Sequence, residues 1–163
     1  MERFLNICGF FFAHAVWSIS DGSVLIAFGV TGDSATSITQ TRFVNEEAYE
    51  KSVENAKTFL AEESTKHPLT AIYFDGYYTY PEGVKTDALY MIARQSSEKE
   101  ITVILPYNKK EFLSPLKIFK PKLVNIIGIN QEELVNKFET FWEGIAKHEK
   151  GAAVWNKAID QSK

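Results

Sequence analysis

Cysteine is almost missing from this chain: Cys8 is the single one in 163 residues. That excludes an intramolecular disulfide and any zinc site built from cysteine pairs. A chain without disulfides fits a reducing compartment, so a cytoplasmic location is expected. A basic excess is missing as well, since 18 Lys and Arg stand against 21 Asp and Glu, a formal net charge of −3. Dedicated nucleic-acid binders show the opposite balance, and nucleic acid is not the expected partner. No apolar run reaches the roughly 20 residues of a membrane span, so no membrane association is expected either.

The markers of catalysis are equally thin. There is no Gly-x-Ser-x-Gly elbow for a nucleophile. Gly29-x-x-Gly32-x-Ser34 carries glycines and a hydroxyl but no lysine at phosphate-loop spacing, and reads as an ordinary loop. His14, His67 and His148 lie on three separate segments with no second His or Cys at ligand spacing, so neither a metal nor a cofactor is predicted. Cys8 sits in an apolar run, where a thiol is inert. No catalytic residue is assigned.

What is abundant is apolar and aromatic: 45% of residues are hydrophobic and 13% are Phe, Trp or Tyr. With no long linker, repeat or low-complexity tract, residues 1–163 read as a single domain with one core. Between Phe4 and Ser20 there is no charged residue. Ala13-His14-Ala15 resembles a signal-peptidase site, but Glu2 beside Arg3 leaves the leading charge weak, and a buried first element is expected. Residues 2–12 suit a short helix with Phe4, Ile7, Cys8 and Phe11 on one face. Asp21-Gly22 between HAVWSI and VLIAFGV then predicts a two-residue hairpin turn. Residues 31–41 read as a polar loop or ragged edge strand.

Asn45 is the expected N-cap of a helix reaching about Ser64, with Glu46 and Glu47 in its first turn. Its apolar stripe is Tyr49, Val53, Ala56, Phe59 and Leu60, and Lys66-His67-Pro68 ends it. Residues 69–107 hold three runs rich in β-branched and aromatic side chains, separated by Pro81-Glu82-Gly83 and by Ser96–Glu100, which predicts an antiparallel meander. Residues 123–129 suit a short, buried strand. Asn130 with Glu133 makes a capping-box pattern, opening a helix that buries Leu134, Phe138, Phe141, Trp142 and Ile145. Gly151 is the expected break before a last helix carrying Ala152, Val154, Trp155, Ala158 and Ile159. His148 suits the C-terminal turn of the helix before that break.

The expected fold is therefore α+β: a five- to six-stranded, mainly antiparallel sheet flanked by helices, in the order α-β-β-α-β-β-β-β-α-α. That order resembles the profilin-like and roadblock-like architectures, in which helices flank an antiparallel sheet.

Two candidate surfaces follow. Alternation along the first meander strand places Tyr73, Asp75 and Tyr77 on one face, with Asp87 near the start of the next strand. With His14, these residues are the candidate small-molecule site, a carboxylate set among tyrosines. The second surface is residues 107–122, where five lysines stand against one glutamate and three prolines fall within or beside the segment. It reads as an extended crossover loop. Lys109, Lys110, Lys117 and Lys120, interleaved with Phe112 and Phe119, form a patch suited to an acidic protein partner. The expected function is a non-catalytic protein-interaction module, of adaptor or immunity type, for which a homodimer also fits. The alternative is a small-molecule binder or enzyme built on the Tyr/Asp cluster.

Overall fold

The computed structural model describes residues 1–33, 37–45 and 47–160; Ser34 and Glu46, both named above, lie outside the described residues. Helix α1 (Glu2–Ser18) is followed by strands β1 (Phe28–Gly32) and β2 (Ile38–Arg42) and helix α2 (Tyr49–Glu63). Then come the long strands β3 (Leu69–Thr79), β4 (Lys85–Gln95) and β5 (Lys99–Asn108). The chain closes with β6 (Lys117–Ile118), β7 (Lys122–Ile127) and helices α3 (Gln131–Lys137), α4 (Glu139–Lys147) and α5 (Glu149–Ala158). Every strand pairing is antiparallel, in the order β2-β1-β3-β4-β5, and both β6 and β7 pair with the outer side of β5. The architecture is the expected α+β, an antiparallel sheet flanked by helices, with seven strands among the described residues where five to six were expected.

The meander forms as its turn chemistry dictates. Gly83 takes a φ of +87° and its N–H donates to the Tyr80 carbonyl at 2.8 Å, closing β3 onto β4. Ser96, at φ 65°, makes the second reversal. The register sets Tyr73 opposite Met91 and Met91 opposite Val103, so one face of β3–β5 is a continuous apolar layer.

Helix α1 lies on that layer, and α4 and α5 pack in turn on α1. This placement explains why Phe4–Ser20 carries no charge. A helix held between two apolar layers keeps little wet surface, and from Phe4 to Ser20 Trp17 alone is exposed. Phe4, Leu5, Cys8, Phe12, Ala13 and Val16 are all buried in the larger core. Each fully buried large side chain contributes about 1.5–3 kcal/mol. At the α1–α4 crossing the backbones nearly touch: a Cβ at Gly9 would land on the Phe141 carbonyl, and one at Gly144 on the Asn6 carbonyl. On the opposite face α2 alone seals a smaller core of Ala27, Ala56, Leu60, Ile72 and Phe74.

Five expectations need correction. Of the strand expected at residues 14–19, residues 14–18 are the last part of α1 and Ile19 is its C-cap, because the spacing of buried residues stays helical through Val16. Asp21-Gly22 is still a turn, with Gly22 at φ +98° and the Ser23 N–H on Asp21 Oδ1 at 2.8 Å, but it ends a helix instead of joining two strands. Strand β7 is largely exposed, not buried, since it lies at the sheet edge and sends only Ile126 onto the core. Gly151 lies inside α5, where its missing Cβ admits the Ala13 carbonyl, and His148 makes the break with φ −87° and ψ 88°. Trp142 is 42% exposed, because α1 accepts only the Phe141, Gly144 and Ile145 side of α4.

Candidate functional site

The meander register builds the first candidate surface. Tyr77, Asp87 and Tyr107 stand side by side across three strands, with Ile118 of β6 next in the row. Asp75 lies one step further along the same face of β3. Its carboxylate accepts from the Tyr107 hydroxyl at 2.8 and 3.0 Å, and its backbone N–H donates to the Tyr49 hydroxyl at 2.6 Å. Burial, with the nearby Asp87 adding to it, raises the Asp75 carboxyl above its ordinary range, against the lowering effect of the Tyr107 hydroxyl. The Tyr107 hydroxyl is in turn pushed upward by burial and by Asp75.

The five residues of the Tyr/Asp proposal do not share one site. Tyr73 is fully buried, and its hydroxyl donates to the Cys8 carbonyl of α1 at 3.1 Å. Asp75 is held among Tyr107 and backbone donors from Leu25 and Gly76. Tyr77 is exposed, with Lys85 Nζ 4.0 Å above its ring. Tyr77 and Asp87 line a cleft of about 580 Å³, together with Lys109, Glu111 and Ser114. His14 lines a different cavity, with Trp17, Phe28, Gln40 and Arg42.

The second surface is the arm between β5 and β7. It turns back on itself at residues 111–114, where the Glu111 N–H donates to the Ser114 carbonyl at 2.8 Å. Phe112 and Leu113 occupy the tip, 99% and 88% exposed. Lys110, Lys117 and Lys120 are exposed along the arm, and Lys109 is half-buried at its base. Phe119 departs from expectation: at 4% exposure it is an anchor for the arm, and its N–H donates to the Pro106 carbonyl at 2.9 Å. The sequence reading missed Leu113, although an apolar pair between lysines was its signal. Beside the arm, Lys110, Lys117 and Lys157 rim a groove of about 520 Å³ floored by Leu116, Val154 and Ile159.

The histidines hold the least expected contact. His148 closes α4 as expected, its N–H donating to the Ile145 carbonyl at 3.2 Å, and it also caps α5, its Nδ1 accepting from the Gly151 N–H at 2.9 Å. Its Nε2 lies 3.1 Å from His14 Nδ1, across 134 residues of sequence. His67 reaches Asp33 at 2.8 Å and Glu63 at 3.2 Å near the end of α2. Among the described residues no cluster of three or more His, Cys, Asp and Glu side chains is arranged to hold a metal ion, and no helix is long and apolar enough to cross a membrane. No family model, curated protein or solved structure matches this chain, so the resemblance to profilin-like and roadblock-like proteins rests on element order alone.

Proposed function

We propose that the chain is a non-catalytic protein-binding module whose arm, residues 109–120, docks into an acidic partner. The observation behind this reading is the full exposure of Phe112 and Leu113 at a turn ringed by lysines. Two neighbouring apolar side chains held in water do nothing for folding. Each contributes about 1.5–3 kcal/mol when a partner buries it. The arm is fixed in advance by its 111–114 turn, by Pro115 and by the buried Phe119, which lowers the entropy cost of docking. The lysines steer an acidic surface toward the tip. Clefts on both sides of the arm extend the contact toward the roughly 800 Å² per partner of a stable interface. An adaptor or an immunity-type inhibitor presents a surface of this kind.

The test places a photo-crosslinking amino acid at position 112, with position 135 on α3, also exposed, as the control. A specific acidic protein should be captured from position 112 only, and lost when Lys109, Lys110, Lys117 and Lys120 are changed to Glu. Capture that is equal at both positions or unchanged by the charge reversal overturns the proposal. So does capture of nothing but a second copy of the chain, or arm-dependent binding to anionic lipid vesicles alone.

A further inference from the structure

A trough runs between the C-terminal half of α1 and the sheet edge. It arises because β2 extends past the helix. Gln40 and Arg42 pair with Val30 and Phe28 and so share the face that α1 covers, yet both stand clear of the helix and are exposed. The 20–26 segment closes one end, leaving a cavity of about 460 Å³, within the usual range for a small-molecule site. Trp17, Ile26 and Phe28 give it apolar walls; His14, Gln40 and Arg42 give it polar ones.

The state of His14 follows from the hydrogen bonds behind it. The Gly151 N–H donates to His148 Nδ1, so that nitrogen carries no proton. His148 must therefore hold its proton on Nε2, where it donates to His14 Nδ1. His14 is left with its proton on Nε2, as a donor whose tautomer is set by a backbone amide at the start of α5. Burial first, then His148 and Arg42, keep the His14 ring neutral by lowering its pKa below the ordinary 6.5. Arg42 makes no ion pair among the described residues. The one carboxylate on the rim, Asp21, is turned toward the Ser23 N–H at 2.8 Å.

We propose that this trough binds a small organic acid: one carboxylate received by Arg42 and the free N–H of His14, and an apolar body laid against Trp17 and Ile26. The charge count favours a monoanion. A guanidinium and one neutral N–H match a single carboxylate, whereas a phosphate dianion would face Asp21 with Arg42 the one cation among the lining residues and Lys150 further out, 5.1 Å from the Trp17 ring.

The experiment titrates the whole chain with 3-phenylpropionate, its alcohol 3-phenylpropanol, and phenyl phosphate, following backbone amide NMR shifts. Phenylpropionate should give saturable shifts confined to residues 14–28 and 40–42, at least about tenfold tighter than the alcohol. Arg42→Gln, a change at an exposed edge, should remove that advantage while leaving the alcohol unaffected. His14→Gln should weaken the acid without unfolding the protein, which the same spectra report. The proposal is overturned if phenylpropionate gives no saturable shifts at millimolar concentration. Equal binding of acid and alcohol, indifference to Arg42→Gln, or tighter binding of phenyl phosphate overturns it as well.

Discussion

On one face of the sheet, α1 lies directly against β3 and β4 and is itself roofed by α4 and α5; on the other, α2 covers β1 and β3 and leaves the far half of the sheet to its own side chains. The first face holds Phe12, Tyr73, Tyr107 and Phe141 fully buried, with helix backbones close enough to exclude a methyl group. The second is finished by Tyr78 and Tyr80 under the Lys122 ammonium, and by Arg94 paired with Glu100 at 2.8 Å. The difference teaches where this fold tolerates change. The roofed face is set by backbone-to-backbone fit, and the other by side chains that have room to move.

Glycine substitutions break or confirm that contrast most directly. Gly9→Ala would drive a methyl into the Phe141 carbonyl, and Gly29→Ala would drive one into the Phe59 ring. A carbonyl in a packed helix has nowhere to go, whereas the ring of Phe59 is only partly buried and can turn. Alanine for glycine inside a helix is otherwise worth about 1 kcal/mol in favour of folding. Urea denaturation should show Gly9→Ala losing about 3 kcal/mol and Gly29→Ala about 1 kcal/mol. Equal losses would mean that the two faces are equally tight.

Two titrating groups on the roofed side sharpen the comparison next. The folded chain favours protonated Asp75, so it binds more protons than the unfolded chain above the ordinary carboxyl value of 3.8, and stability falls as pH rises through that window. His14 is the reverse. The folded chain favours its neutral ring, so stability falls as pH drops below 6.5. Melting temperatures measured against pH should lose the first slope in Asp75→Asn and the second in His14→Gln. Variants that both track the wild type would show that neither group feels its burial.

The smallest effect belongs to the arm. Phe112→Ser should leave the unfolding free energy within about 0.5 kcal/mol of wild type, since nothing in the fold touches that ring. A larger loss would mean the tip packs on the body, and would remove the reason for assigning it to a partner.

The meander was readable because its three strands are consecutive and its turns carry Pro81, Gly83 and a short polar run, so local chemistry alone sets the pairing. The full length of α1 was not. His14–Ile19 is rich in β-branched and aromatic residues, and a helix held between two apolar layers loses the polar stripe that would mark its period. Gly151 misled for a related reason: it looks like a helix breaker, but its role is to let a distant carbonyl approach. The basic arm was visible in composition, yet which of its two phenylalanines faces water depended on where the chain turned. The contact between His14 and His148 joins the first helix to the last, and no local pattern in one chain reports such a meeting.

Cys8 has a practical consequence. It is the lone thiol, it is fully buried under β3, and burial raises its pKa above the ordinary thiol value. A soluble alkylating reagent therefore reaches it only when α1 lifts away from the sheet. The rate of irreversible labelling under native conditions becomes a clock for that opening, read by mass alone and without adding a probe to the protein.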